Sequence, residues 1–452
     1  MNFMRLSLKE AEGKLKAGEV KVCLWGIGRV SLALACLLAD AGVNVLALDP
    51  NPKLGSLITS GETPYQEPGL EKLLRKVLGK GRLKISSNLK TATSESSIIV
   101  STVSAKVSSA GSPDYTALEK FCSEAGLGIN LGSLLISTGT LTPGITEELI
   151  KPLLEERSGL KAGEEFGLAY SPLKASAGNV IADLTDKPQL LAGLDRRSLE
   201  KAEVFFRLFA KEGVVVVKNI RAAEAAGLFQ EISRDVGMAL ANEFARFCGR
   251  AKVSFREAAR GLSKHSTFNI QPGMTWGEES ALASKLLMGE AERIRAEVKL
   301  VKAARRVNEE TLSYVIKTLS KLLKERGKPL AGARIILLGI SSKADVKEDK
   351  ASPARLLVAA LKRKGARVKA WDPLYSLDEL RSLGYEPAVL WEALPKADCV
   401  MVTVGHQAFK KLKTRIISEL SAKGGGILFD CSETGVFAGL SSDKVTVSGL
   451  GF

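Results

Sequence analysis

Short apolar runs alternate with helical stretches over the first half of the chain. An apolar run at 20–24, VKVCL, is followed by a glycine turn, a helical pattern over 30–41 and a second apolar run, NVLALD. This order is typical of a βαβ unit, whose parallel strands are buried beneath helices. Further strand candidates lie at 97–103, 134–138, 166–171 and 214–218. The pattern predicts a doubly wound α/β sheet with helices on both faces.

From residue 222 to about 326 the apolar positions follow helical spacing instead. The segment 291–326 contains no proline or glycine, which favours one or two long helices. After the break GKPLAG at 327–332 the strand and helix pattern returns. Its elements are RIILLGI, ARLLVAALKRKG, RVKAWDP, DCVMVTV and GGILFDC. We therefore expect a second, smaller α/β domain after a helical one.

The sequence thus predicts two Rossmann-like domains that flank a central helical domain. We place the boundaries at 1–205, 206–326 and 327–452, and we expect the helical domain to form the surface of a homodimer. Both α/β halves share a layout in which the second strand ends in Asp-Pro, at Asp49 and at Asp372. Such sheets bind ligands at the carboxyl ends of their strands, which predicts a ligand cleft between the halves.

Composition narrows the class of protein. The six cysteines show no CxxC spacing, which favours a reducing cytoplasm and gives no expectation of a metal site. The first residues lack the apolar core of a signal peptide, and no apolar stretch reaches the roughly 20 residues of a membrane span. The net charge of +15 is spread over helices without interleaved aromatic residues, which is typical of a solvated basic surface, with binding of anionic small molecules as the alternative. We expect no nucleic-acid partner.

A glycine turn after the first strand carries the first candidate site. Gly26, Ile27, Gly28, Arg29 and Val30 follow a strand and open a helix, and Asp49 ends the next strand at the usual spacing. The helix N-terminus would receive a pyrophosphate, and the carboxylate would bind ribose hydroxyls and repel a 2′-phosphate. The motif predicts NAD in preference to NADP. The alternative is a glycine turn of purely structural use.

Seven stretches in order resemble the UDP-glucose/GDP-mannose dehydrogenase family, most closely its UDP-N-acetylmannosamine branch. They are VCLWGIGRVSLALA, YQEPGLEKLL, ISTGTLTPGITEEL, AYSP, SRDVGMALANEFARFC, FNIQPG and SSKADVKEDKASP. The resemblance implies oxidation of a sugar C6 alcohol to a carboxylate with two NAD, by way of a thiohemiacetal on a cysteine. It also assigns Thr102, Thr138 and Lys350 to the cofactor. For a UDP-linked sugar it assigns Phe268, Asn269, Gln271, Gly273 and Lys343.

The residues that react in this family are replaced here. Ser280 stands at the place of the cysteine nucleophile, and Ser284 at the place of the aspartate that follows it by four positions. The family's lysine falls on Gly227 and its asparagine on Glu231. Without an adjacent base a serine hydroxyl is a weak nucleophile, so oxidation to a uronate by the usual covalent route is not expected.

Three further positions differ in charge or shape. The acid and base of the family's Pro-Glu-Arg segment fall on Leu173 and Lys174, and its arginine before Ser-Pro falls on Lys350. Lysine keeps the charge of arginine but loses the bidentate fork. No cysteine occurs between Cys248 and Cys399, so no local shift of the alignment restores the nucleophile.

Three hypotheses remain open at this point. The chain could bind NAD and a UDP-sugar without the family's reaction, as a regulatory or structural partner. It could instead carry out a single two-electron, NAD-linked step, with Ser280 and Glu231 as the candidate catalytic residues and Glu231 as the base. It could also be an interaction module that keeps only the fold. The two histidines, His265 and His406, add one candidate ligand contact, at His265.

Overall fold

The computed structural model describes residues 2–108, 111–263, 270–274, 278–350, 352–422, 424–440 and 442–452. The chain divides into two compact units. The first, here the N-terminal unit, comprises Met1–Glu231 and Lys285–Glu297. The second, the C-terminal unit, comprises Ile232–Ser284 and Val298–Phe452. The three-domain division expected from the sequence stays a prediction.

An eight-stranded sheet forms the centre of the N-terminal unit. Its order is β10-β9-β8-β7-β4-β1-β2-β3, and β5 and β6 form a separate small hairpin. Neighbouring strands are parallel except that β9 runs antiparallel to β8. The strands are β1 Lys21–Trp25, β2 Asn44–Leu48, β3 Leu83–Ser86, β4 Ile98–Ser101, β5 Lys106–Val107, β6 Pro113–Asp114, β7 Leu134–Ser137, β8 Gly167–Tyr170, β9 Gln189–Gly193 and β10 Val214–Val216.

Helices cover both faces of this sheet, as a mainly parallel sheet requires. They are α1 Leu8–Ala17, α2 Arg29–Asp40, α3 Pro52–Thr59, α4 Leu70–Gly79, α5 Leu89–Glu95, α6 Thr116–Gly126, α7 Lys151–Ser158, α8 Val180–Thr185 and α9 Arg196–Phe206. A 3₁₀ turn at Phe3–Arg5 precedes them, and a π-helical turn at Thr146–Ile150 leads into α7. In α2, Leu34 and Leu38 are fully buried. Burial of each leucine side chain stabilises the fold by about 1.5–3 kcal/mol.

Among the described residues, four helices follow in the middle of the chain. They are α10 Ile220–Ala251, α11 Phe255–Ser263, α12 Glu278–Arg293 and α13 Lys299–Glu325. The division between the two units falls within α10, after Glu231. Helices α10 and α11 pack through Ala245, Cys248 and Phe255. This helical stretch, in which the single long helix α13 fills most of 291–326, confirms the predicted pattern.

The C-terminal unit contains a parallel sheet of five strands in the order β12-β11-β13-β14-β15. The strands are β11 Arg334–Leu338, β12 Arg367–Trp371, β13 Cys399–Val402, β14 Ile427–Asp430 and β15 Thr446–Gly449. The helices are α14 Pro353–Arg363, α15 Leu377–Ser382, α16 Leu390–Ala393 and α17 Gln407–Ser421, with a 3₁₀ turn at Leu394–Lys396. The two Rossmann-like sheets and the helical segment between them in sequence confirm the predicted fold class.

Candidate functional site

The turn after β1 has a backbone that only glycine accommodates. Gly26 has φ +90°, and its amide donates to Leu48 O at 2.8 Å, where β2 ends. A Cβ at this position would lie 2.6 Å from Thr102 Oγ1. Both the dihedral angle and the close approach therefore require glycine. Two residues later, Gly28 forms the N-cap of α2, so the helix N-terminus opens directly from the turn.

Ser31, which stands where such motifs usually have a third glycine, closes the turn from inside α2. Its side chain is buried, its Oγ accepts the Gly28 amide at 2.7 Å, and the same hydroxyl donates to Gly28 O at 3.1 Å. The serine thus caps the first turn of the helix and does not disturb its packing. A phosphate bound at this helix N-terminus would have to share the Gly28 amide with the serine hydroxyl.

Asp49 lies beside the turn, at the end of β2. One carboxylate oxygen accepts the Ile27 amide at 3.0 Å, and the other accepts the Asn51 amide at 2.9 Å. The residue is half-buried, and each carboxylate oxygen keeps further lone pairs for a hydroxyl donor. The glycine cradle, the helix N-terminus and this acid fit a dinucleotide with an unmodified ribose.

Two threonines continue the site along the carboxyl edge of the sheet. Thr102 follows β4 and donates to Trp25 O at 2.7 Å, and Thr138 follows β7 and donates to Ser101 O at 2.9 Å. These hydrogen bonds fasten the ends of three neighbouring strands to each other. The structure thus brings together the predicted cofactor residues Gly26, Ile27, Gly28, Asp49, Thr102 and Thr138.

The Arg29 side chain belongs to a group of contacts that stabilises the glycine turn. Its guanidinium donates to Glu67 Oε1 at 2.6 Å and lies 5.5 Å from the centre of the Tyr65 ring. The Tyr65 hydroxyl in turn donates to Ile27 O at 2.8 Å. Glu67 has no exposed side-chain surface and also accepts two backbone amides, from Gly178 and Val180. The sequence identified Glu67 only as part of a stretch that resembles the family. Its contacts with Arg29 and with the two backbone amides were not predicted. Val30 is the second residue of α2.

Gly273 is the best-defined residue of the predicted sugar loop. Asn242 on α10 accepts from the Gly273 amide at 3.0 Å and donates to Gly273 O at 3.1 Å, so one side chain binds both backbone polar groups of this glycine. Gln271 is half-buried next to it. Phe268, Asn269 and His265 lie outside the described residues. Nothing in the sequence pattern alone pointed to Asn242 as the residue that fixes this loop.

Lys343 and Lys350 both lie on the loop that follows β11, and both are exposed. This loop is anchored by His406, whose Nδ1 accepts the Asp345 amide at 2.9 Å. Lys350, which the resemblance assigns to the cofactor, thus lies in the C-terminal unit, whereas the glycine turn lies in the N-terminal unit.

Glu231 and Lys174 face each other in the N-terminal unit. Lys174 Nζ lies 3.7 Å from Glu231 Oε1 and donates to Thr140 Oγ1 at 3.3 Å. Gly227, one helical turn before Glu231, packs against the loop that carries the lysine, since a Cβ there would lie 2.8 Å from Pro172 Cβ. Each residue was noted as a departure in the sequence, but their contact was not foreseen.

Ser280 lies on α12, four residues before Ser284, and its side chain is outside the described part of the structure. The Ser284 hydroxyl donates to Asp235 Oδ2 at 2.7 Å. Asp235 Oδ1 also accepts from Arg305 at 2.7 Å and from Asn308 at 2.9 Å. All four residues are buried, so Ser284 belongs to a closed polar network on α10, α12 and α13.

All six cysteines are free and buried. Burial raises the pKa of Cys23, Cys36 and Cys122 to about 12 in each case. Burial also raises the pKa of the Cys399 and Cys431 thiols. Because the thiolate is the nucleophile, these thiols are inert at neutral pH. Cys248 packs in the contact between α10 and α11.

The glycine turn, the helix N-terminus and the acid at the end of β2 define a dinucleotide-binding α/β protein. The model of the UDP-glucose/GDP-mannose dehydrogenase family matches the chain in three parts. Its NAD binding domain matches residues 20–211, its central domain 221–310 and its UDP binding domain 336–434. The chain belongs to the UDP-glucose/GDP-mannose dehydrogenase family. The cofactor predicted from the glycine turn, NAD, is thereby confirmed.

Individual relatives are distant but span nearly the whole chain. The chain is 26% identical over 412 residues to UDP-N-acetyl-D-mannosamine dehydrogenase of Methanococcus maripaludis, which covers 91% of this chain and 92% of that protein. It is also 26% identical to UDP-N-acetyl-D-glucosamine 6-dehydrogenase of Salmonella typhi, over 91% of this chain and 96% of that protein. The structure of UDP-D-ManNAc dehydrogenase from Pyrococcus horikoshii superposes with a TM-score of 0.87 at 25% identity, covering 96% and 99% of the two chains.

Among the residues that the structure describes, no helix combines the length and the apolar character needed to cross a bilayer.

Proposed function

We propose that the chain binds NAD at the glycine turn and a UDP-linked sugar through its C-terminal unit, and that it does not oxidise that sugar to a uronate. The NAD binding and UDP binding domains of the family support the first part. The observation that carries the second part is the set of six buried thiols, together with the serine at position 280.

The chemical argument concerns the aldehyde stage. An aldehyde becomes a hydride donor only after a nucleophile has added to it, and a cysteine thiolate does this and leaves a thioester for water to cleave. A serine hydroxyl is far less acidic and needs a base to act in this way. The chain therefore has the residues for ligand binding but no thiolate for the second oxidation.

The cofactor would be held by the residues already described. Asp49 would accept ribose hydroxyls, the N-terminus of α2 would receive the pyrophosphate, and Thr102 and Thr138 line the same edge. When bound, NAD would supply the hydride acceptor for oxidation of an alcohol. Lys343, Gln271 and Gly273, with Phe268 and Asn269, are the residues that we assign to the sugar nucleotide.

Binding and stoichiometry together test this function. Isothermal titration should show binding of NAD and of UDP-N-acetylmannosamine, UDP-N-acetylglucosamine or UDP-glucose. Incubation with excess NAD should give at most one NADH per sugar, and mass spectrometry should find no uronate. Two NADH per sugar with a uronate product would overturn the proposal, and so would a lack of NAD binding.

Oligomeric state is a further part of the proposal. Leu240, Phe244 and Phe247 lie at helical spacing on α10 with 41%, 41% and 71% of their surface exposed. Apolar side chains in such a row are typical of a protein interface. We infer a homodimer through this face of α10. Light scattering should report a dimer for the wild type and a monomer for Phe247→Glu; a wild-type monomer would contradict it.

A further inference from the structure

Strand β10 forms one outer edge of the large sheet in the N-terminal unit. It pairs with β9 on one side and stands at the end of the strand order. The strand consists of Val214, Val215 and Val216, and a fourth valine, Val217, follows directly. The side chains of Val215 and Val216 are 51% and 49% exposed. An apolar strand at an open sheet edge is a template for pairing with a strand of another chain.

The hydrogen bonds to β9 show which backbone groups of β10 face the open edge. The Gly213 carbonyl accepts from a β9 amide at 3.0 Å, and the Val217 amide donates to a β9 carbonyl at 2.9 Å. Since residues along a strand turn their backbone groups to alternate sides, the groups of Val214 and Val216 face away from β9. Among the described residues, no backbone hydrogen bond reaches either valine from that side. Two donors and two acceptors are thus available to another strand.

The residues that flank the valines make this edge complementary to itself. Glu212 precedes the apolar run and Lys218 follows it, and both are exposed. Two copies of the segment can run antiparallel about a two-fold axis at Val215. Val214 then lies opposite Val216 of the second copy, and Glu212 lies opposite Lys218 of the second copy. The register that pairs the outward-facing backbone groups therefore also pairs opposite charges.

Other arrangements of two copies are less favourable. A parallel arrangement in register places Lys218 opposite Lys218 and Glu212 opposite Glu212, and like charges directly opposite each other destabilise a sheet. An antiparallel shift by one residue sets outward-facing backbone groups against groups that already bind β9. A shift by two residues keeps the hydrogen bonds but places both charges opposite apolar side chains. The sequence of the edge thus favours one arrangement.

The other outer edge of the same sheet does not have these properties. It is formed by β3, which carries the exposed Lys84 within the strand. A charged side chain within an edge strand hinders its pairing with other strands. In β10 the strand itself is free of charge, and the charges lie at the two ends. Antiparallel pairing of two β10 strands also uses the open edge of both copies, so it stops at two copies.

We propose that β10 is an interaction surface for a second copy of this chain, in which the two strands pair antiparallel about Val215 and join the two large sheets. This surface is separate in sequence from the α10 residues to which we assign the homodimer, and it requires neither NAD nor a sugar nucleotide. The strip is short, so the association is weak and appears at chain concentrations of about 100 µM. With both surfaces occupied, the chain forms assemblies larger than a dimer.

The test uses the full chain with Phe247→Glu, which removes the α10 contact, and measures association by sedimentation equilibrium. This chain should be monomeric at about 1 µM and should dimerise at about 100 µM. Adding Val216→Pro removes an outward-facing amide and leaves the hydrogen bonds to β9, so dimerisation should weaken at least about tenfold. An unchanged affinity in this variant would overturn the proposal, and so would the absence of dimers at about 500 µM.

Charge reversals test the register. Glu212→Lys and Lys218→Glu each place like charges opposite each other in a dimer of identical chains, so each alone should weaken dimerisation at least about fivefold. An equimolar mixture of the two variants restores opposite charges between unlike copies, and the double variant restores them between identical copies. Both should dimerise like the parent chain. Failure of the mixture and of the double variant to recover, or full dimerisation of either single variant, would contradict antiparallel pairing about Val215.

The control is Lys120→Glu, a charge reversal in the same unit at a side chain that is 78% exposed. It should leave dimerisation unchanged, and melting temperatures should show that every variant folds. Association of the Phe247→Glu chain that continues beyond the dimer would show that the edge binds strands without a defined partner. That result would also overturn the proposal, because a pair of β10 strands leaves no open edge at this position.

Discussion

The two α/β halves contain glycine turns of nearly the same geometry. Gly26 has φ +90° and Gly339 has φ +86°. Each glycine amide donates at 2.8 Å to the carbonyl that ends the following strand, at Leu48 in the first half and at Trp371 in the second. In both halves the next amide donates to an aspartate one strand away, over 3.0 Å and 2.7 Å. The backbone of the motif is thus the same.

The aspartates differ in what surrounds them. Asp49 is half-buried, whereas Asp372 is 1% exposed and accepts from the buried His406 Nε2 at 3.1 Å. Because His406 Nδ1 accepts the Asp345 amide, the ring proton lies on Nε2 and points to Asp372. Asp49 can accept hydrogen bonds from the hydroxyls of a ligand, whereas Asp372 is enclosed within the protein. A glycine turn alone therefore does not make a cofactor site, because its aspartate must also be accessible to the ligand.

We expect the largest loss of stability from substitution of the buried aspartate, Asp372. Asp372→Ala would leave the Ile340 and Leu374 amides and His406 without an acceptor in a buried place. We expect it to lower the free energy of unfolding by about 3–5 kcal/mol. Urea titration would measure this, with Asp378→Ala as control, since that side chain is 91% exposed. Equal stability of the two variants would remove the contrast between the halves.

The glycines themselves offer the next comparison. A Cβ at Gly339 would overlap Val404 Cγ1 and approach Val404 O, whereas at Gly26 it would meet a single hydroxyl oxygen, Thr102 Oγ1. We expect Gly339→Ala to cost about 2–4 kcal/mol and Gly26→Ala about 1–2 kcal/mol, each including strain from positive φ. Only Gly26→Ala should abolish NAD binding. Loss of NAD binding in both variants, by titration of the folded proteins, would contradict a single cofactor turn.

The two halves should also respond to pH in opposite directions. Burial raises the pKa of Glu224, which lies in the N-terminal unit, from 4.5 to about 7, although hydrogen bonds from Thr146 and Gly144 oppose it. Between these values the folded chain binds a proton that the unfolded chain has released, so stability falls by about 2–3 kcal/mol as pH rises from 4.5 to 7. Glu224→Gln should remove this slope.

In the C-terminal unit Asp398 has the reverse behaviour. Burial raises its pKa, but hydrogen bonds from Arg334 and Lys328 outweigh burial and lower the pKa from 3.8 to about 2. The folded chain then binds fewer protons than the unfolded chain below pH 3.8, so stability falls as pH decreases toward 2. Urea midpoints measured across pH 2–8 for Asp398→Asn and Glu224→Gln should each lose one of the two slopes. If either variant keeps the pH dependence of stability that we assign to the substituted residue, that pH dependence comes from another group.

We expect the smallest loss of stability from substitution of the half-buried aspartate, Asp49. Asp49→Ala removes an acceptor for the ribose and for the Ile27 and Asn51 amides. Asp49 is itself half-buried, so water can take the place of its carboxylate at these amides. We expect about tenfold weaker NAD binding, with a change in unfolding free energy below about 1 kcal/mol. Titration calorimetry and urea unfolding of the same sample would check both values. A stability loss as large as that of Asp372→Ala would mean that both acids are structural.

Much of the fold was predictable because its elements are regular. The apolar runs that became β1, β4, β7, β8, β11 and β13 were identified, as were the long helices of the middle segment. Strands β3, β5, β6, β9 and β15 were missed. Strands β5 and β6 have only two residues each, and β9 and β15 end in glycine, which hides the strand pattern. The antiparallel step between β8 and β9 has no local sign in the sequence either.

The site was predictable only where residues close in sequence act together. The glycine turn and Asp49 follow a fixed spacing, so they could be assigned. Lys174 and Glu231 are 57 positions apart, and Asp372 and His406 are 34 apart. Their contacts depend on how a loop meets a helix or on which strands are neighbours, and no periodicity in the chain encodes these. The residue type and charge at each of these positions can be seen in the sequence, but the partner of each residue cannot.

The buried thiols have a practical consequence for labelling. Since every native cysteine is enclosed in a packed interior, maleimide reagents should leave the folded wild-type chain unmodified. A cysteine introduced on an exposed helix of each unit would then be the only attachment point for a fluorophore there. Energy transfer between two such dyes could follow the two units in solution as ligands are added, without first removing any of the protein's own sulfur atoms.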